Sequence, residues 1–197
     1  MTEAAVVPPS WTVTLLCGAA GIGKTSVAVR LASRYGVPLG EADDVYTALK
    51  ALTTPEQQPL LHYWDSHPEA GSWSPAKTAD LHLAAAESVQ VAYRAVVADH
   101  VESRTPVVLE SDVLLPGLAL GFGKRVLAFV LEESDEDQIV ANFLAREPQY
   151  GEQRHRAQVS VEVNNRLVER ARAAGLPVVP ARPWGDCLDR IDAALRG

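Results

Sequence analysis

An apolar run from Trp11 to Cys17 breaks off into Gly18-Ala19-Ala20-Gly21-Ile22-Gly23-Lys24-Thr25, and helical spacing begins at once. Val27, Ala28 and Leu31 share one face of that helix, and Gly36 is its stop signal. The loop fits G-x-x-x-x-G-K-[ST] without a departure and lies where the motif requires, between a strand and a helix. Each residue type has a mechanical part. Glycines permit positive φ, which turns successive amide N–H groups inward into a nest for an anion. A helix opening at Gly23 adds unpaired amides and the positive end of its dipole. Lys24 is a mobile charge able to follow β- and γ-phosphates, and Thr25 offers a hydroxyl oxygen to Mg²⁺, a hard cation. The bland alternative, a glycine turn that only packs a helix on a strand, is disfavoured because motif and context agree. The expected nucleotide-binding residues are Gly18, Gly21, Ile22, Gly23, Lys24, Thr25 and Ser26, with ATP and Mg²⁺ as the ligands.

Composition narrows the setting. A chain of 197 residues with 47% apolar and 22% charged residues can bury a real core, and one domain over residues 1–197 is expected. Eighteen basic against 25 acidic residues leave a net charge of −7, which argues against nucleic acid or an anionic membrane as partner. Cys17 and Cys187 are too few for a disulfide framework or a thiolate zinc site. No run approaches the roughly 18 apolar residues of a membrane span. Met1 to Ser10 carries an acid and two prolines where a secretory leader has a basic region and an apolar core. A soluble, reducing, cytoplasmic setting is therefore expected, and a homodimer is compatible with the sequence.

Four further short apolar runs follow: Val37 to Ala42, Pro106 to Glu110, Arg125 to Leu131 and Pro177 to Ala181. Helical stretches separate them, at Ala76 to about Ser103, Asp135 to about Arg146, Arg156 to Ala174 and from Asp186 onward. Residues 53–75 contain four prolines and Gly71, so no long helix crosses them unbroken. Strands that are apolar throughout and alternate with helices imply a parallel sheet covered on both faces. The expected fold is α/β, a three-layer α/β/α sandwich with a five-stranded parallel sheet, and its ligand lies beyond the carboxyl ends of the strands.

The pattern Gly18-x-x-Gly21-x-Gly23-Lys24-Thr25 resembles the small P-loop kinases: the nucleoside monophosphate kinase group and relatives such as shikimate, gluconate and adenylylsulfate kinases and chloramphenicol phosphotransferase. No N-K-x-D tetrapeptide, the guanine selector of regulatory GTPases, occurs. The resemblance implies transfer of the ATP γ-phosphoryl group to a hydroxyl of a small metabolite or antibiotic. A nucleotide kinase, or a switch module with slow or absent hydrolysis, is the alternative.

The resemblance also implies roles for the acids. Glu41-Ala42-Asp43-Asp44 is similar to the acid-rich turn of gluconate-kinase-like enzymes, which makes Asp43 the first choice to orient and deprotonate the acceptor, with Asp44 second. The structural alternative has Asp44 capping a helix that starts at Val45 and Asp43 merely solvated. Glu110 and Asp112 compete for the acid that supports Mg²⁺ together with Thr25. Leu109 to Gly117 also looks like the "EGvhllPG" segment of 2-phosphoglycerate-kinase-like proteins, although Ser111 replaces its glycine and Asp112 a hydrophobic residue.

Arg146, Arg154 and Arg156 flank a polar turn where small P-loop kinases carry a lid, here 146–156, whose arginines close over phosphates. Arg146 and Arg154 are the expected catalytic arginines, beside Lys24 and Asp43. The alternative is a solvated loop with helix-end charges. Residues 45–85 stand where the superfamily puts its acceptor-binding insert, so Asp43, Asp44, Trp64, His67 and Glu110 are the expected acceptor residues. His62, Tyr63, Asp65, Trp73, Lys77 and His82 lie in the same stretch, and two histidines five apart without a third ligand do not predict zinc. Arg182-Pro183-Trp184 stands where related kinases pack the adenine base, so Arg182 or Trp184 is expected to stack on it, with purely structural packing of Trp184 as the alternative. Between Tyr35 and Tyr93 there is no arginine, which tilts the acceptor toward an uncharged or weakly charged molecule unless Lys50, Lys77 or Arg94 compensates.

Overall fold

The computed structural model describes residues 9–196, so most of the N-terminal stretch read as leader-free lies outside the described residues. Five parallel strands form the central sheet: β1 (Val13–Cys17), β2 (Leu39–Glu41), β3 (Val107–Ser111), β4 (Val126–Glu132) and β5 (Val178–Pro180), in the order β2-β3-β1-β4-β5. β1 and β3, flanked on both sides, are buried at every residue, whereas the edge strands β2 and β5 keep only three residues each. That is the difference between interior and edge strands of a sheet covered on both faces. The edge strands are accordingly shorter than the apolar runs that predict them.

Helices cover the sheet. On one face lie α1 (Lys24–Tyr35) and the C-terminal helix Cys187–Arg196; the other carries the long helix Pro75–Ser103 and the helix Arg154–Ala173. In chain order the remaining helices are α2 (Asp43–Leu52), α3 (Tyr63–Ser66) and α5 (Glu136–Arg146), so the long helix is α4 and the last two are α6 and α7. Pro75 at the first turn and the Ser74 hydroxyl, which accepts from the Lys77 N–H, start α4 one residue before the Ala76 that helical spacing predicts. Asp135 caps α5 in the same way through Gln138. Residues 53–75 hold only the four-residue α3 and a short 3₁₀ turn at Pro68–Ser72, as the prolines require.

One expectation fails at the start of α2. The helix opens at Asp43 with Ala42 as its cap and no side-chain cap bond, so Asp44 does not cap a helix beginning at Val45. Among the described residues no helix is long and apolar enough to cross a membrane.

Candidate active site

β1 ends at the middle of the sheet, and its neighbours set what surrounds the loop that follows. Parallel register aligns Leu16 of β1 with Glu110 of β3, and Glu110 with Glu41 of β2. The carboxylate at the end of β3 therefore stands between the phosphate loop and the acids after β2. The loop itself is built for close approach. Gly21, at φ 77°, leaves room for the Phe143 ring, which a Cβ would meet at 2.7 Å. Gly23, at φ 94°, has the Trp184 ring where a Cβ would meet it at 2.6 Å. Both positions combine a left-handed backbone with a packed neighbour, so only glycine fits. The Lys24 ammonium arches back to the Ala19 carbonyl at 2.9 Å, across the mouth of the loop. Beneath it, burial pushes the Cys17 thiol up to about 12, with the Lys24 charge a smaller opposing influence. Cys17 is thus an inert buried residue.

The acids separate by partner. Thr25 donates its hydroxyl to Glu110 Oε1 at 2.6 Å, and Glu110 is buried. Asp43, the first residue of α2, accepts a short hydrogen bond from Ser111 Oγ, which in turn accepts from the Val113 N–H at 3.0 Å. Its turn is held twice more: the Ala42 N–H donates to the Glu110 carbonyl at 3.0 Å, and the buried Tyr93 hydroxyl of α4 donates to the Ala42 carbonyl at 3.0 Å. Asp43 is therefore not merely solvated. The half-buried Asp112 makes no side-chain hydrogen bond or ion pair among the described residues, and its carbonyl accepts from His82 Nε2 at 3.0 Å.

A cleft of about 570 Å³ collects Lys24, Thr25, Ser26, Asp43, Glu110 and Asp112 with Asn142, Arg146, Arg156 and Trp184. From its Asp112 side two further cavities, about 370 and 250 Å³, open under the 45–85 insert, and Trp64 and His82 line both. Other predicted residues stay outside these spaces. Asp44 is exposed and lines none of the three. His67 stacks on Tyr63 at 4.0 Å between centroids and bonds its carbonyl, packing the insert together. Arg154 turns to Glu136 and Asp137 at 3.0 and 2.9 Å, on the far side of the turn. Arg182 lies 4.9 Å from the Trp184 ring and donates to Glu133 at 3.3 Å, so the indole, not the guanidinium, lines the cleft.

The lid arginines at the cleft are Arg146 and Arg156. Both donate to Glu147, each at 2.8 Å, and both lie against the Phe143 ring, at 5.3 and 4.3 Å. The two guanidinium groups hold the Glu147 carboxyl below its usual range, Arg146 first. Residues that the sequence reading passed over are Asn142, whose side-chain amide donates to the Gly21 carbonyl at 2.7 Å, and Ser111 and Tyr93, which hold Asp43 and its turn. No spacing signal marks them, because each acts across the fold.

The donors fit the expected ligands. Gly21 and Gly23, both left-handed, lead the chain into the N-terminus of α1, whose first amides suit an anion. Thr25 and Glu110 present only oxygen, and among the described residues no three His, Cys, Asp or Glu side chains gather as a metal cage. Mg²⁺ suits such a site, since it takes one or two protein oxygens and keeps water and phosphate as its other ligands.

A parallel α/β sheet with this loop on its central strand is the P-loop nucleotide-binding class. No family model matches the chain. An adenylate kinase of Clavibacter michiganensis subsp. michiganensis (strain NCPPB 382) is 28% identical over 193 residues, covering 93% of this chain and 92% of that protein. A gluconokinase from Sinorhizobium meliloti 1021 superposes with a TM-score of 0.55 at 18% identity, over 96% of this chain and 94% of that one. Shikimate kinase from Acinetobacter baumannii, in complex with shikimate, superposes at 0.50 with 14% identity, over 95% and 92% of the two chains. Sequence likeness, fold and phosphate loop together support a place in the superfamily of P-loop small-molecule and nucleotide kinases.

Proposed function

We propose that the protein is an ATP- and Mg²⁺-dependent phosphotransferase that moves the γ-phosphoryl group to a hydroxyl of a small molecule. One observation carries this reading: a single cleft is lined at once by the phosphate loop, by the Thr25–Glu110 pair and by Asp43. A nucleotide-gated switch needs no carboxylate aimed at an acceptor. A reducing, cytoplasmic setting belongs to the same reading, with both thiols free and buried.

In this reading the main-chain amides from Gly18 to Thr25 and the Lys24 ammonium hold the β- and γ-phosphates, and Trp184 covers the base. Thr25 and Glu110 would hold Mg²⁺, which supplies neutralisation of phosphate charge when bound. Asp43, fixed by Ser111, accepts a hydrogen bond from the acceptor hydroxyl and takes its proton as the oxygen attacks. The new bond joins that oxygen to γ-phosphorus, the bond from γ-phosphorus to the β–γ bridging oxygen breaks, and ADP leaves. Arg146 and Arg156 swing from Glu147 onto the transferring oxygens and exclude water.

A nucleotide kinase is the second reading, favoured by the adenylate kinase relative. Radiolabel transfer from ATP to a panel of small alcohols tests the first. Lys24→Ala should abolish transfer in folded protein. Asp43→Asn should lower kcat about 100-fold or more while changing the KM for MgATP less than twofold, in line with typical losses of a general base. Unchanged turnover in Lys24→Ala removes the phosphate loop from the mechanism.

A further inference from the structure

We propose that the acceptor is a non-anionic alcohol, neutral or amine-bearing, and that the charge around the acceptor cavities excludes phosphomonoesters. The inference rests on the phosphotransferase reading and names the substrate class of that same site. The two cavities beside the phosphate cleft, about 370 and 250 Å³, have the size of a small-molecule site. Asp112 lines both of them and the cleft, so it stands at their junction; Asp43 lines the smaller cavity and the cleft. Two carboxylates thus face the acceptor from the side of the reaction. Their field reaches the neighbouring phenols: Tyr93 is pushed up, chiefly by burial and then by Asp43 and Asp112, and Tyr46 by burial and Asp112.

A phosphomonoester brings a charge of about −1.5 to −2 at neutral pH and needs cations to meet it. Lys50, Lys77 and Arg94, the cations nearest in sequence, are engaged elsewhere. The Lys50 ammonium is 2.7 Å from Asp65, Lys77 lies 3.3 Å over the Trp73 ring, and Arg94 stacks on Phe122 at 4.8 Å. Arg166, on α6, pairs with Asp80 and donates to the Ala76 carbonyl at 3.1 Å. Of the two imidazoles that line the larger cavity, His82 bonds the Asp112 carbonyl at 3.0 Å and His155 the Trp73 carbonyl at 2.7 Å. A carbonyl only accepts, so each Nε2 carries a hydrogen already given away. Arg156 is the one permanently charged cation among the described residues lining these cavities, and it also lines the phosphate cleft, where the γ-phosphoryl group claims it. The rest of the wall suits an alcohol: Trp64, Val159 and Val163 are apolar faces, and Thr78 and Ser160 offer hydroxyls. An ammonium on the acceptor would find Asp112 without a competing partner.

The test is phosphoryl transfer from MgATP by the intact protein to matched acceptors: adenosine against AMP, and glucose and glucosamine against gluconate and glucose 6-phosphate. The expected result is a kcat/KM for a neutral or amine-bearing member at least 100-fold above that of every anionic one. Preferred transfer to glucose 6-phosphate or gluconate overturns the acceptor assignment and leaves the hydroxyl-kinase reading standing; preferred conversion of AMP to ADP overturns both in favour of the nucleotide kinase. Transfer to no member, by protein that binds MgATP, overturns both. For an amine-bearing acceptor, Asp112→Asn should raise its KM tenfold or more and leave the KM for MgATP within twofold; a matching rise for MgATP gives this carboxylate to the metal and overturns the charge argument.

Discussion

Ser111 holds two hydrogen bonds that matter to the chemistry, donating to Asp43 and accepting from the Val113 N–H. It is a positioning residue, since it reaches the acceptor only through the carboxylate it orients. Ser111→Ala should lower kcat about tenfold, the scale of a mis-set catalytic group, with the KM for MgATP within twofold. Ser111→Thr should restore most of it. A merely structural role would instead lower the melting temperature and raise the KM for MgATP along with the loss in kcat. Residue-scale reading of the sequence was good for local chemistry and poor for pairs. Lys24 and Thr25 are legible because both belong to one contiguous loop motif, although the fold alone brings Glu110 to Thr25. His67 and Asp44 are both polar residues expected at the acceptor, yet the fold stacks one on Tyr63 and leaves the other in solvent.

At the scale of elements, the turn between α5 and α6 stores its two cleft arginines on one carboxylate. Glu147 receives Arg146 and Arg156 while Phe143, wedged under Gly21, is the surface on which both lie. Phosphate must compete with Glu147 for these groups. Glu147→Gln should therefore tighten MgATP binding about threefold to tenfold by titration calorimetry, because a neutral amide holds a guanidinium less strongly than a carboxylate. An unchanged Kd means that neither arginine reaches the nucleotide. The elements themselves were largely readable. Uninterrupted apolar runs mark the strands, and helical spacing from Ala76 and from Asp135 places the starts of α4 and α5 to within one residue, where Ser74 and Asp135 cap them. Ends of edge strands and the first residue of α2 were not, since sheet pairing and the Ala42–Glu110 bond decide them.

For the whole molecule, a ligand that binds only the folded state adds stability by mass action, about 2.7 kcal/mol at 100 times its Kd. For a chain of this size that corresponds to roughly 5–10 °C in melting temperature. MgATP should raise the melting temperature by that amount in the wild type and not in Lys24→Ala; equal shifts in both place the nucleotide elsewhere. What the sequence by itself determined is the phosphate loop, the class of sheet and the order of elements, because loop backbone, helix period and strand burial are properties of adjacent residues. Only the tertiary structure decided which carboxylate meets Thr25, which one is held by Ser111, and which arginines face the cleft. Those pairings span 85 residues from Thr25 to Glu110 and 68 from Asp43 to Ser111, distances over which only sheet order and register bring side chains together.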